Sequence, residues 1–379
     1  MKIAMFSDTY VPQRNGVSTA VKLYKDKLEE RGHEVYVFVP RYSKEEKRNE
    51  KNVIEYPAIR YVLEKEQRIA IFHPYVPFKI KKMEFDIIHT HTPFSMGILA
   101  FLSAKLFDIP YIGTHHTMYE YYRHYLPPII RPSLKMTKAL IREWCKKLDK
   151  VIAPTTEVKN VLVSYGVPED HIVVIPTGID VEKFQEPPKY NIKEMFDIED
   201  GKKIILYVGR LGKEKNIPFL MKVFSKVRKR EDAVFLLIGY GPELESLEFL
   251  AEELGIENDV IFAGKQDREI VIDAYKQADV FVFASYTETQ GLVIIEAMAA
   301  GLPIVALGKL GVKDLLEGSN GGIMLPELNE EEFSEAILKL LNDQKLHKTL
   351  GENGKKYVME NFSIDITIDK LLEVYHEFV

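Results

Sequence analysis

The sequence predicts an α/β protein of two doubly wound domains in tandem, on three observations. Short, continuously apolar runs alternate with amphipathic helical stretches along the whole 379-residue chain. The runs lack a clean apolar/polar alternation, as expected of parallel strands covered on both faces. The pattern begins afresh after Pro176, about one domain length into the chain.

Lys2–Phe6, with the apolar run Ile3–Phe6, reads as the first strand. Residues 17–31 follow with helical spacing (Val17, Val21, Tyr24, Leu28) and stop at Gly32, which suits the left-handed turn past a helix end. Residues 35–39 form a second buried strand ended by Pro40, and 85–89, 111–113 and 151–153 continue the series with helical stretches between them. Beyond Pro176, strands are expected at 204–208, 234–238, 260–262, 280–283 and 304–306. Helices separate them at about 215–229, 243–254, 268–277 and 291–300. From about 364 to 379 a last helix carries apolar Ile366, Leu371, Val374 and Phe378. The expected domains are therefore 1–176 and 177–360, with a C-terminal helix, 361–379, returning to the first domain. Two such domains imply a cleft, and ligands of these sheets sit beyond the carboxyl ends of the strands.

Composition narrows the function classes. With 46% apolar and 28% charged residues the chain is neither disordered, collagen-like nor a disulfide scaffold. Its one cysteine, Cys145, has no internal partner, which points to a reducing compartment. The formal charge of −6 divides unevenly, +7 over residues 1–176 and −13 over residues 177–379. The net negative charge of the chain disfavours nucleic acid as a partner. The opening apolar run is too short for a secretory signal, and no stretch approaches the ~18 apolar residues of a spanning helix. The expected location is cytoplasmic, with peripheral membrane association at most.

Four segments carry the chemistry. In residues 285–303 a strand ends near Ala284, a turn carries Glu288, and a helix begins near Gly291. The backbone N–H groups of Thr289, Gln290, Gly291 and Leu292 form an expected anion site at that helix start. Glu296 lies five residues past Gly291, roughly 7.5 Å further along the helix, so the two carboxylates reach different parts of one long ligand. The turn Gly209-Arg210-Leu-Gly212-Lys213-Glu-Lys215 supplies a planar fork of donors and a point charge, together suited to a diphosphate. In the loop after the first strand, Gly16 opens a helix where the missing Cβ admits a phosphate, although the G-x-G-x-x-G dinucleotide fingerprint is absent. Residues 113–125 hold His115, His116, His124, Arg123 and four tyrosines, a dense polar–aromatic cluster in which His116 is the expected substrate-facing histidine. No Cys or Asp nearby completes a metal-ligand spacing. His89 and His91 read as structural. Gly239, Gly241, Gly264 and Gln266 lie at strand ends where a base could sit.

Residues 285–303 resemble the E-x7-E region of retaining family 4 glycosyltransferases, which have the GT-B fold of two Rossmann-like domains facing a central cleft. Residues 209–215 resemble that family's diphosphate clamp, 114–117 its T-x-H-T element, and 177–180 its interdomain segment. Residues 115–125 are similar to the H-T-M-Y-E-x-Y-x-H-Y run of bacterial diacylglycerol glucosyltransferases, and Ser7-Asp8 with Gly16-Val17 fit the same subgroup. The resemblance implies that Arg210 and Lys215 stabilise the leaving nucleoside diphosphate in place of a metal ion. It implies that Glu296 holds the ribose, that Glu288 and the Thr289–Leu292 amides hold the donor sugar, and that Gly16 lets its loop approach the diphosphate. His116 then acts at the reacting centre, with Tyr119 contacting substrate. No cofactor and no metal are expected.

The implied activity is transfer of a hexose, glucose from UDP-glucose, to a lipid acceptor such as diacylglycerol. The alternatives are a retaining transferase with a soluble sugar or sugar-phosphate acceptor, and a nucleotide-sugar isomerase without an acceptor. Residues 60–82 interleave Arg60, Tyr61, Arg68, Phe72, Tyr75, Phe78, Lys79, Lys81 and Lys82 in a way that suits an anionic headgroup layer. Residues 133–150 read as a helix with a basic stripe (Lys135, Lys138, Arg142, Lys146) and a second, apolar face of Leu134, Ile141, Trp144 and Leu148. That pattern fits a core-facing helix with a solvated basic side.

Overall fold

The computed structural model describes residues 1–13, 15–42, 50–60, 68–123, 126 and 131–379. They divide into two compact units, Met1–Gly178 with Ile364–Val379, and Ile179–Ser363. Tyr61, His124 and Tyr125 lie outside the described residues.

The first unit begins with β1 (Lys2–Phe6), α1 (Gly16–Glu30), β2 (Glu34–Pro40), β3 (Val53–Tyr56), β4 (Ala58–Arg60), β5 (Arg68–Ala70) and α2 (Val76–Lys81). It continues through β6 (Ile87–Thr90), α3 (Ser95–Phe107), β7 (Tyr111–Thr114), α4 (Leu134–Cys145), β8 (Lys150–Ala153), α5 (Thr156–Ser164) and β9 (Ile172–Val174). Seven parallel strands form its main sheet in the order β3-β2-β1-β6-β7-β8-β9, and β4 and β5 form a separate antiparallel hairpin. Ile3, Ala4, Met5 and Phe6 of β1 are all fully buried, which is why this strand reads as a continuous apolar run. The Phe6 and Phe38 rings stack at 4.5 Å. α1 starts one residue earlier than its apolar spacing suggests, because Asn15 caps it and exchanges a capping box with Ser18.

The second unit runs α6 (Ile192–Met195), β10 (Lys203–Val208), α7 (Ile217–Arg228), β11 (Ala233–Ile238), α8 (Leu244–Leu254), β12 (Val260–Gly264), α9 (Arg268–Gln277) and β13 (Val280–Phe283). Then come α10 (Leu292–Ala299), β14 (Ile304–Leu307), α11 (Gly311–Ser319), β15 (Gly322–Leu325), α12 (Glu330–Asn342) and α13 (Gln344–Asn361). Its six-stranded parallel sheet has the order β12-β11-β10-β13-β14-β15. The last helix, α14 (Ile364–His376), packs in the first unit, where Arg31 pairs with Asp365 at 3.1 Å and also with Asp369, and Tyr375 is fully buried.

Strand order reverses between β1 and β6 in the first unit and between β10 and β13 in the second. Loops leaving neighbouring strands at such a switch point part to opposite faces and open a crevice, where ligands of open α/β sheets bind. Both units are therefore Rossmann-like, with their switch points at the loops after β1, β6, β10 and β13.

Two sequence expectations need correction. The strand expected at 85–89 starts only at Ile87, after a left-handed turn at Glu84 (φ 53°), and Phe85 instead packs its ring edge on Tyr36 and Phe38. The helix expected over 133–150 ends at Cys145 and buries Thr137, Ile141 and Cys145. Leu134 lies on the exposed side with Met136 and Leu140, and Leu148 is buried beyond the helix end. That helix is not simply core-facing with a basic outside, since three large apolar side chains share the outside with the lysines.

Candidate active site

In the second unit, the loop after β10 carries Arg210 and Lys215 and the loop after β13 carries Glu288. Hydrogen bonds tie the two loops together. Asn216 Nδ2 donates to the Ala284 carbonyl at 2.9 Å, and Ser285 Oγ donates to the Glu214 carbonyl at 3.1 Å. Tyr207 OH, from β10, donates to the Arg210 carbonyl at 3.0 Å. Lys215 Nζ pairs directly with the Glu288 carboxylate, and both side chains are mostly buried. Arg210 Nη1 stands 4.0 Å from Glu214, whose side chain is also buried. At rest each cation of this cluster therefore faces an acid of its own.

Gly291 caps the start of α10 with φ 83°, a left-handed conformation that a β-carbon disfavours. The first N–H groups of α10 have no carbonyl within the helix to bond, by the geometry of any helix start. Gly311 N donates to the Glu288 carbonyl at 3.1 Å and holds this turn from the α11 side. Gly239 and Gly241, considered above as neighbours of a base, have a packing reason as well. A β-carbon at Gly239 (φ 153°) would strike the Gly209 carbonyl oxygen, and one at Gly241 would strike Leu211. These glycines let the loop after β11 lie against the loop bearing Arg210.

Glu296 lies on the buried side of α10. Its Oε1 accepts from Arg268 Nη2 at 2.7 Å and its Oε2 accepts from Tyr275 OH at 3.1 Å. Burial, followed by the Glu296 charge, pushes the Tyr275 hydroxyl well above its ordinary range. Sequence reading missed Arg268 and Tyr275. They sit on α9, and only the packing of α9 on α10 brings them to Glu296. The Glu296→Ala variant should lose nucleotide affinity and, by leaving the buried Tyr275 hydroxyl without its acceptor, about 1–3 kcal/mol of stability. Isothermal titration with UDP and a denaturant melt check both, and an unchanged nucleotide affinity contradicts the assignment.

In the first unit, His91 directly follows β6 and His116 follows β7, strands that lie side by side in the sheet. The His91 Nδ1 and His116 Nε2 atoms are 3.0 Å apart and their rings stack at 5.3 Å. His91 is fully buried, and its contact with the candidate His116 gives the structural reading of His91 a definite partner. His89 also fits the structural reading, with Nδ1 on Tyr375 OH at 2.7 Å and Nε2 on Thr114 Oγ1 at 2.8 Å. His115 is fully buried with its ring edge-on to Tyr119 at 5.7 Å, and neither of its ring nitrogens has a hydrogen-bond partner among the described residues. His116 is half-buried. Gly16 is exposed at the first position of α1. Sequence reading gave the buried Asp8 no chemical role. Its carboxylate accepts from Ser95 Oγ, from Thr92 Oγ1 at 2.6 Å and from Met96 N at 3.0 Å, and so ties the start of α3 to β1. Burial raises its pKa above the usual carboxylate value, against these hydrogen bonds.

Burial holds the histidines neutral, His89 and His116 down to about 3 and His115 to about 4. The unfolded chain would bind these protons near pH 6.5. Stability from these groups is therefore complete above pH 6.5 and is lost as the pH falls toward 4 and then 3. At pH 5 the fully buried His89 and His115 each cost about 2 kcal/mol. Calorimetry should show the first unit melting several degrees lower at pH 5 than at pH 7, and equal melting temperatures would contradict the neutral cluster.

Among the described residues no group of three or more His, Cys, Asp or Glu side chains is arranged to hold a metal ion, and no helix is long and apolar enough to cross a membrane.

Comparison with known proteins adds to this geometry. Residues 14–183 match the family described as Glycosyltransferase Family 4, and residues 189–357 match that described as Glycosyl transferases group 1. The alpha-monoglucosyldiacylglycerol synthase of Streptococcus pneumoniae is 37% identical over 374 residues, covering 96% of this chain and 83% of that one. The protein of the same name from Acholeplasma laidlawii is 30% identical over 370 residues, covering 94% and 92%. Among solved structures, sucrose-phosphate synthase from Thermosynechococcus elongatus superposes with a TM-score of 0.81 at 22% identity, covering 99% of this chain and 98% of that one.

Proposed function

The chain belongs to the family 4 glycosyltransferases, and on that footing we propose that it transfers glucose from UDP-glucose to diacylglycerol with retention of the anomeric configuration. The acceptor is carried by one observation: identity with a monoglucosyldiacylglycerol synthase extends over 96% of the chain and so over both units.

The donor belongs to the second unit. The incoming diphosphate competes with Glu288 and Glu214 for Lys215 and Arg210, and the start of α10 adds backbone donors and the positive end of its dipole. Glu288, released from Lys215, becomes an acceptor for the hydroxyls of the sugar. Glu296 serves the ribose, held ready by Arg268 and Tyr275. As the glycosidic bond breaks, negative charge grows on the leaving phosphate, and preorganised cations stabilise that charge more than the ground state. The reaction so described needs no resident cofactor.

The acceptor belongs to the first unit. His116, neutral and oriented by His91, serves the reacting centre. The leaving phosphate takes the proton of the attacking hydroxyl as the new bond forms on the same face of the sugar. The enzyme works peripherally at the cytoplasmic face of a membrane, where its acceptor resides.

Full-length protein incubated with labelled UDP-glucose and dioleoylglycerol in mixed micelles should give label in the lipid extract. Label appearing only on soluble sugars or sugar phosphates would transfer the proposal to a soluble acceptor. Conversion of the donor without any acceptor would point to an isomerase.

A further inference from the structure

The outer face of α3 is unusual for a surface helix. Phe94, just before the helix, and Ile98, Leu102 and Leu106 along it are 55%, 53%, 38% and 56% exposed. They recur every fourth residue and so line up as one stripe, roughly 18 Å long at 1.5 Å per residue. The opposite face, with Met96, Leu99, Ala100 and Ala104, is buried in the unit. A soluble helix ordinarily puts charge on its outer face, and one apolar on both faces needs a second apolar phase to cover it.

The stripe is continuous with the candidate site. The Phe94 ring meets Tyr119 edge-on at 5.4 Å, and Tyr119 meets His115 at 5.7 Å. At its other end Phe107 meets Phe78 of α2 at 5.5 Å, and Phe78 and Tyr75 are themselves 52% and 67% exposed. Exposed Lys79 and Lys81 follow on α2 and Lys82 just past its end, and Lys105 stands beside Leu106. Residues 68–107 hold five basic and two acidic side chains, with no acid inside α3. The start of α3 is tied to β1 through Asp8, so the stripe is carried by a fixed element.

We propose that this face of α3, with Tyr75 just before α2 and Phe78 on it, sits in the headgroup–acyl boundary of an anionic bilayer, so that a lipid acceptor passes along the stripe toward Tyr119 and His116. The arrangement fits a bilayer better than a protein. The ridge ends among exposed lysines, with Lys81 over the Phe107 ring at 5.2 Å and no acid on α3, a charge complementary to anionic headgroups. Apolar side chains enter the boundary while lysines meet the phosphates, and neither contribution suffices alone. The inference rests on the lipid-acceptor reading and adds the element that meets the lipid, which the basic–aromatic pattern of residues 60–82 does not include.

The test uses the full chain and vesicles of phosphatidylcholine with about 30% phosphatidylglycerol, an anionic surface for the lysines. The double variant Ile98→Glu/Leu102→Glu should bind these vesicles at least ~10-fold more weakly than the parent. Its fold should be unchanged because both side chains are exposed. In the variant Ile98→Trp, brominated lipid should quench the new fluorescence. Vesicle binding by the double variant equal to that of the parent, or no quenching of Ile98→Trp, overturns the proposal. So does a concentration-dependent loss of self-association in place of vesicle binding, which would assign the stripe to a second copy of the chain. Transfer to diacylglycerol dispersed in detergent separates the two claims. If the parent fails there, the lipid-acceptor reading falls. If the parent succeeds but the double variant still binds vesicles normally, only the role of α3 falls.

Discussion

Replacing Lys215 by Met is expected to lower kcat roughly 10²–10³-fold, the usual effect of removing one preorganised group from a developing charge. The chain should still fold. Lys215 sits on the short turn after β10, its backbone N–H bonded to the Gly212 carbonyl at 3.0 Å, and its side chain is mostly buried beside Glu288. Methionine preserves most of the side-chain volume and removes the charge. Two consequences follow with different readouts. The diphosphate loses a cation that matters most as the bond breaks, so kcat falls more than nucleotide affinity. Glu288 is left without its cation, which destabilises the second unit by about 1–3 kcal/mol. Single-turnover transfer with the lipid acceptor measures the first and a urea melt the second. A variant turning over within threefold of the parent would remove Lys215 from the machinery. Arg210, whose fork is set 4.0 Å from Glu214, should behave similarly but more mildly, because it is the more exposed of the two cations.

The His116→Ala variant should lose transfer by about 10²-fold, the size of loss expected when a group that positions the reacting centre is removed. Nucleotide affinity should be untouched, since the residues proposed to hold the donor, Gly16 apart, belong to the second unit. The structural cost should be small and specific. His91 loses the partner 3.0 Å from its Nδ1, and its other nitrogen, Nε2, is already buried without a hydrogen bond among the described residues. A loss of about 1–2 kcal/mol follows. UDP should therefore raise the melting temperature of variant and parent by the same amount, while steady-state kinetics separates them. Because burial keeps His116 neutral down to about pH 3, the rate of the parent should show no inflection near pH 6.5 from this group. Full activity in His116→Ala, or a shift in its nucleotide affinity, would contradict the assignment.

The architecture was legible because its inner strands are covered on both faces. Lys2–Phe6 and Val280–Phe283 lie inside their sheets, and their apolar runs, Ile3–Phe6 and Val280–Phe283, mark strands with the bounds observed. Strands β3, β9 and β15 escaped the same reading, and each is a sheet edge. Val53–Tyr56 and most of Gly322–Leu325 are only half-buried, so their residues are mixed in character and lack the run that marks a central strand.

The site divides along a similar line. Arg210, Lys215, Glu288 and Gly291 were legible because each follows a strand within one short motif, where local sequence dictates local structure. Arg268, Tyr275 and His91 were not, because they reach their partners across neighbouring elements: α9 against α10, and the end of β6 against the end of β7. A basic–aromatic pattern drew attention to residues 60–82. The exposed stripe of α3 stayed hidden because an apolar helix reads as a core helix until its burial is known.

The central claim is transfer of glucose to diacylglycerol with retention, and the structure of the glycolipid product tests it most directly. Proton NMR of the lipid made from UDP-glucose and dioleoylglycerol should show one glucose on the free glycerol hydroxyl, with the small H1–H2 coupling of an α-glucoside. A β-glucoside, or no glycolipid from a chain that binds UDP and remains folded, would contradict the account.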